Sequence, residues 1–307
     1  MSDNNLDLIT IGAGPAGYAA AIYATRYKLK NIIIAKELGG LMMYSDIVEN
    51  YPGFPSIKGN DLMNNFKQHS DSLNIEIVEE SVESIEKDGK DFIVKTGKNE
   101  YLTKAICIAM GTERRKLGVP GEEECLGMGV SYCATCDAAF FKNRVCCVVG
   151  GSDSAAKEAL VIARLAKKVH VIYRKSKIRA EPLLAERVYN AENIEVIHDS
   201  NVTEICSNEH GIVSKVKLDD GTEVDTNGVF IEIGFDPRSN LAINLGVKVN
   251  EKKEIIVDKE GRTNIPGIFA AGDITDNRLK QAITAAGDGA KACWAAYQYI
   301  ELVYGKK

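Results

Sequence analysis

The sequence predicts an α/β chain with two three-layer units, and three observations carry that expectation. A strand, a glycine-rich turn, a helix and a second strand follow one another early in the chain, and the same series returns near its middle. A short apolar strand then reappears late, with a long alanine-rich helical stretch behind it. At 307 residues there is room for two domains, and 45% hydrophobic with 26% charged residues is a globular composition. A formal net charge of −5 argues against a nucleic-acid surface, which reads as a basic patch. No apolar run approaches the roughly 18 residues of a membrane span. The opening MSDNNLDLIT lacks the basic-then-apolar order of a signal peptide, so a cytoplasmic protein without membrane partners is expected.

The first unit opens with the apolar run Leu6–Ile11 as a buried strand. Gly12-Ala13-Gly14-Pro15-Ala16-Gly17 follows at once, Ala16–Tyr27 reads as a helix, and Asn31–Ala35 supplies the next strand. In this context G-x-G-x-x-G has a mechanical meaning. Gly12 makes the tight turn, Gly14 lets backbone approach a pyrophosphate, and Gly17 lets helix and strand pack closely. The helix N-terminus adds N–H groups and partial positive charge for phosphate. An acid normally closes the second strand to hold a ribose hydroxyl. Here the chain reads Ile34-Ala35-Lys36-Glu37, so either Glu37 or the backbone at Gly39–Gly40 is expected to take that role.

The second unit runs from the strand Arg144–Val149 through Gly150-Gly151-Ser152-Asp153-Ser154-Ala155 to the helix Ala155–Ala166 and the strand Val169–Tyr173. Ser152 stands where the second glycine belongs, and its side chain crowds the place where a pyrophosphate would meet backbone. The basic run Arg174-Lys175-Ser176-Lys177-Ile178-Arg179 follows; cations there suit the 2′-phosphate of NADP. Two Rossmann-like dinucleotide-binding domains are thus the expected fold. Later, Thr263–Asp273 holds a short strand ending in Gly272-Asp273, where the acid is placed to hold a ribityl hydroxyl or a phosphate through water. Lys280-Gln281-Ala282 and the helix Ile283–Leu302 come next.

Of eight cysteines, Cys107, Cys125, Cys206 and Cys293 stand alone, and Cys146-Cys147 are adjacent within an apolar run, as buried thiols usually are. Only Cys133 and Cys136 form C-x-x-C. Zinc would need two more convergent ligands. Cys146 and Cys147 point to opposite faces of a strand, and His170 and His198 have no ligand spacing. Vicinal thiols fit two-electron disulfide exchange instead: one attacks, and the other resolves the mixed disulfide. Asp137 follows directly, poised as general acid toward a leaving thiolate if burial raises its pKa, or alternatively as a helix cap.

With GAGPAG at 12–17, ELGG at 37–40, VENYPGFP at 48–55, VPGEEE at 119–124, SYCATCD at 131–137, IRAEP at 178–182, GIFAAGD at 267–273 and KQAITAAGDG at 280–289, the chain resembles the low-molecular-weight thioredoxin reductases over nearly its whole length. The resemblance implies an FAD domain at 1–116 and 241–307, with an NAD(P)H and disulfide domain, 117–240, inserted into it. It further implies a homodimer, and thioredoxin or a glutaredoxin-like protein as partner. Gly12, Gly14, Pro15, Ala16, Gly17, Glu37, Gly39, Gly40, Leu41, Asn50, Asp273, Lys280, Gln281 and Ala282 are expected around FAD. Gly150, Ser152, Asp153, Ser154, Ala155, Arg174, Lys175 and Arg179 are expected around NADPH or NADH. Cys136 is expected over the flavin, with Cys133 as the thiol that attacks the partner. Rotation of the inserted domain, with turns near Lys116–Val119 and Gly234–Asn240, is implied because one orientation cannot serve both nicotinamide and protein substrate. Four positions depart from the family pattern: Ser152 for glycine, Tyr173-Arg174-Lys175 for His-Arg-Arg, Leu41 for glutamine and Phe235 for histidine. The first two leave open a ferredoxin or deazaflavin donor in place of NADPH; a flavin redox sensor without turnover is the reading from another class.

Overall fold

The computed structural model describes residues 5–45 and 47–305; the first four residues of the signal-peptide reading, and residues 1–4, 46 and 306–307 of the expected FAD domain, lie outside these. The chain forms two compact units, Met1–Glu113 with Asp236–Lys307, and Arg114–Phe235.

In the first unit, β1 (Asn5–Ala13) runs into the glycine turn and α1 (Pro15–Arg26), and β2 (Asn31–Leu38) returns. α2 (Gly59–Ser72), β3 (Glu76–Val78), β4 (Val82–Asp88), β5 (Asp91–Thr96) and β6 (Glu100–Ile108) complete the outgoing chain. The sheet order is β3-β2-β1-β6-β5-β4. β1, β2, β3 and β6 are parallel, as crossover helices require, while β4 and β5 are an antiparallel hairpin on the first half of β6.

β7 (Thr112–Arg114) leads into the second unit. There β8 (Val130–Ser131), α3 (Ala134–Asp137), β9 (Val145–Val149), α4 (Asp153–Ala163), β10 (Lys168–Ile172), α5 (Pro182–Tyr189) and β11 (Ile194–Ile197) precede an antiparallel layer, β12 (Val202–Ser207), β13 (Val213–Leu218) and β14 (Glu223–Asp225). β15 (Gly228–Ile231) then closes a parallel sheet of order β11-β10-β9-β15-β8. β9 packs one face with Cys146 and Val148 against Ala155, Ala159 and Ile162 of α4. Its other face sets Cys147 and Val149 against Val202, Val213 and Val216 of the antiparallel layer. Those are three layers, with the period of two putting the adjacent cysteines on opposite sides.

β16 (Phe235–Pro237) pairs with β7 as a two-stranded ribbon where the chain returns to the first unit. After α6 (Asn240–Asn244), β17 (Ile268–Ala270) pairs with the second half of β6, from Ile106 to Ile108. α7 (Ala282–Tyr304) then lies on α1. The small residues expected here have a definite use: a Cβ on Gly289 would stand 2.0 Å from the Ala16 carbonyl oxygen, so the two helices meet backbone to backbone. Ala20, Ala24, Ala292, Ala295 and Ala296 are fully buried in the seam.

Candidate active site

The redox centre is built on one short turn of the second unit. Cys133 is the N-cap residue of α3 and Cys136 lies within it. Their sulfurs are joined, with Cα atoms 5.3 Å apart. The Cys136 N–H donates to Cys133 Sγ at 3.2 Å; Cys136 is exposed and Cys133 half-buried. Ser131 braces the turn from both ends, accepting the Cys133 N–H at 3.0 Å and donating its hydroxyl to Asp137 Oδ2 at 2.6 Å. Asp137 is half-buried.

Other cysteines are set apart by their surroundings. Burial pushes the Cys107, Cys146 and Cys147 thiols up to about 12, so they carry almost no thiolate at neutral pH.

Sequence reasoning missed the carboxylates behind this turn. Glu122, 2% exposed, accepts the Leu117 N–H at 2.7 Å as well as the Gly118 N–H and the Tyr132 hydroxyl. It ties the chain's entry into the unit to the residue before Cys133. Glu158 of α4 accepts the Ala134 N–H at 3.2 Å, and its carboxyl interacts with that of Glu232, which is ion-paired to Arg114. A signal for two of these was present. Glu158 shares a helix face with Ala155 and Ile162, and Glu232 ends the apolar run Val229-Phe230-Ile231.

In the first unit the glycine turn has the geometry its spacing requires. Gly12 has φ +110°, and a Cβ there would meet the Ala109 carbonyl oxygen at 2.3 Å. A Cβ on Gly17 would lie 1.8 Å from the Gly12 carbonyl oxygen. At Gly14 a Cβ would meet nothing within 4 Å; that open space, beside the N-terminus of α1, fits a phosphate group. Gly40 comes close to the same spot, its Cβ position being 3.7 Å from Gly14 Cα. β2 continues to Leu38, so Glu37 stands at the strand's exposed end, 3.9 Å from Arg238 Nη1. Leu41 belongs to a 3-10 turn spanning Gly40–Tyr44. Asn50 and Gln281, far apart in sequence, meet at 3.0 Å through Asn50 Nδ2 and Gln281 Oε1, and Ala282 begins α7. Burial raises the Asp273 carboxyl, with Lys280 opposing the shift and Asp288 adding to it. Lys280 itself is engaged by the carbonyl oxygens of Asp273 and Thr275 and by Glu254 at 3.2 Å.

At the second turn Gly150 has φ +145°, and Gly151 lies under the Tyr173 ring, where a Cβ would be 2.6 Å from ring carbons. Ser152 is the N-cap of α4 with no side-chain capping bond, and Ala155 is fully buried. The Arg179 N–H donates to the Gly151 carbonyl at 2.7 Å, and the Glu181 N–H donates to Asp153 Oδ1 at 2.8 Å. These two bonds hold the basic segment to the turn beside half-buried Ser154. Arg174, Lys175 and Arg179 are all exposed there, and none forms an ion pair among the described residues.

The chain carries a bridged dithiol and two glycine turns of the nucleotide-binding kind. The model of the pyridine nucleotide-disulphide oxidoreductase family matches residues 6–289. The chain belongs to that family. It is 42% identical over 309 residues to the thioredoxin reductase of Bacillus subtilis (strain 168), covering 98% of this chain and 97% of that one. The crystal structure of Lactococcus lactis thioredoxin reductase superposes with a TM-score of 0.94 at 38% identity, covering 97% of this chain and 100% of that one. That of T. acidophilum thioredoxin reductase gives 0.91 at 36% identity, covering 96% and 99%. The expected α/β fold of the low-molecular-weight thioredoxin reductases is therefore correct. As a member of the pyridine nucleotide-disulphide oxidoreductases, the chain is a flavoprotein disulfide reductase, and the disulfide its structure contains is Cys133–Cys136.

Proposed function

We propose that this reductase draws electrons from NADPH through FAD and delivers them by way of Cys133–Cys136 to thioredoxin or a glutaredoxin-like protein. The bridged, partly exposed C-x-x-C on α3 is the observation that carries this reading. When bound, the flavin supplies a two-electron relay between a nicotinamide and a disulfide.

In this reading Gly12, Gly14, Pro15, Ala16 and Gly17 form the pyrophosphate cradle, and Glu37 holds a ribose hydroxyl. Gly39, Gly40, Leu41, Asn50, Asp273, Gln281 and Ala282 line the rest of the FAD site. Lys280 serves it indirectly, by fixing the loop that carries Asp273. Gly150 to Ala155 receives the nicotinamide dinucleotide, and exposed Arg174, Lys175 and Arg179 favour the 2′-phosphate of NADPH over NADH. Once the pair is reduced, the Cys133 thiolate attacks one sulfur of the partner's disulfide and expels the other as a thiolate. Asp137, oriented by Ser131, is placed to protonate that leaving sulfur. Cys136 then attacks Cys133 Sγ, releasing the second partner thiol and restoring the bridge.

Anaerobic mixing with NADPH should bleach the flavin's visible absorbance. Bleaching by reduced ferredoxin or a reduced deazaflavin, but by neither NADPH nor NADH, would overturn the donor. The Cys136→Ser protein should still be bleached by NADPH yet lose thioredoxin turnover; sustained turnover would remove the disulfide from the pathway. We also read the chain as a cytoplasmic homodimer. No helix among the described residues is long and apolar enough to cross a membrane, and Tyr23 of α1 and Trp294 of α7 are exposed, at 42% and 40%. A light-scattering mass equal to one chain would refute the dimer.

A further inference from the structure

Behind the redox helix lies a carboxyl pair that the exchange chemistry above does not use. Glu158 and Glu232 have side chains only 13% and 3% exposed. Arg114 serves both: its Nη1 pairs with Glu232 Oε1 and stands 3.7 Å from Glu158 Oε1. One guanidinium offsets one buried carboxylate, and a second uncompensated charge at this depth is costly. Burial, and then the charge of Glu232, raise the Glu158 carboxyl against the pull of Arg114; burial raises Glu232 in the same way. Two carboxyls in such contact titrate as a unit and keep one proton between them. Glu232 is the nearer to Arg114 and takes the negative charge, which leaves the proton on Glu158. Glu158 Oε2 is buried and has no hydrogen-bond partner among the described residues. The other oxygen, Oε1, holds the Ala134 N–H, the amide that follows Cys133.

The groups facing Glu158 come from several elements. Arg114 comes from β7, Glu232 from the residue after β15, and the Ala134 N–H from α3, whose own acid Asp137 is bound to Ser131. β9, β10 and α5 pack on α4 with the apolar Val148, Val171 and Val188.

We propose that Glu158 is a positioning residue for disulfide exchange: sharing one proton with Glu232 under Arg114, it anchors the turn of Cys133 and Cys136 and keeps the cluster beside the thiols electrically neutral. The inference rests on the disulfide-reductase reading. Two glutathione thiols convert the Cys133–Cys136 bridge to the dithiol and leave as one glutathione disulfide, so electrons and protons balance without flavin or nicotinamide. The raised titration fixes the sign of the pH effect. The neutral cluster is complete at low pH and is lost as pH rises, after which a thiolate on α3 faces a net negative neighbour.

The test equilibrates the full-length protein with reduced and oxidised glutathione at about pH 6.5 and about pH 9, either side of the thiol range. After acid trapping and alkylation, mass spectrometry reads the bridged fraction. Glu158→Gln keeps an acceptor for Ala134 and a donor for Glu232 but cannot ionise. It should match wild type at the lower pH and be reduced more readily at the higher, by about fivefold in the equilibrium constant, the scale of one charge acting on a thiolate in partly solvated protein. Glu158→Ala, lacking the acceptor, should shift the constant at both. A glutamine-to-wild-type ratio that does not change with pH overturns the proposal, as does an alanine variant identical to wild type; should the alanine variant not fold, the glutamine comparison decides. Neither NADPH nor thioredoxin enters, so failure here is separable from failure of the donor reading.

Discussion

Gly14 has φ −83° and ψ −173°, and Ser152, its counterpart in the second turn, has φ −90° and ψ −179°. Both are the residue before their helix, in the same extended backbone, one bare and one carrying a side chain. The preceding glycines are alike for another reason. Gly12 and Gly150 both have positive φ, and a Cβ on either would strike a carbonyl oxygen, of Ala109 at 2.3 Å or of Glu232 at 2.2 Å. The first glycine is therefore demanded by the protein's own interior, and the middle one only by whatever approaches from outside. A departure at the middle position leaves the fold untouched and bears on the ligand alone.

The largest effect expected from this comparison is at the third position. Gly17→Ala forces a Cβ to within 1.8 Å of the Gly12 carbonyl, whereas the second unit carries Ala155 there natively. Its thermal midpoint should fall by about 10 °C or more, as clashes of several kcal/mol do in chains of this size; a shift below about 2 °C would mean the turns are interchangeable after all. Gly14→Ser comes next. Because the backbone already suits serine, the fold should persist while flavin retained on purification drops about tenfold, read as the ratio of visible to ultraviolet absorbance. Full flavin content would show that the open space at Gly14 is not used. The smallest effect is the reverse exchange, Ser152→Gly, which should lower the KM for NADPH by about threefold with kcat unchanged. An unaltered KM would remove the serine from any account of donor binding.

Much of this was legible in residue order. Both β-turn-α-β series, the late strand at Ile268 and the helix after Gln281 carry strong local patterns, and the C-x-x-C needs no tertiary information to stand out. The antiparallel layer was harder. Val213-Ser214-Lys215-Val216-Lys217-Leu218 alternates with a period of two, which marks a strand but not the sheet face it will cover. Arg114, Glu158 and Glu232 lie even further from local reasoning. Each acid sits in an apolar setting that signals a partner, yet which cation answers depends on where β7 delivers Arg114. Glu37 was ambiguous for a simpler cause: strand ends are set by hydrogen bonding to a neighbour, and β2 pairs as far as Leu38 with Ala13.

The discontinuity of the first unit fixes the order in which a nascent chain can finish its parts. β6 has one edge of its second half unpaired until Ile268–Ala270 is made, and α1 lacks its wall until Ala282–Tyr304 emerges. Both arrive only after the whole of Arg114–Phe235 has left the ribosome as one continuous piece. The module bearing Cys133 and Cys136 is thus complete in sequence while its host is still waiting for its last strand.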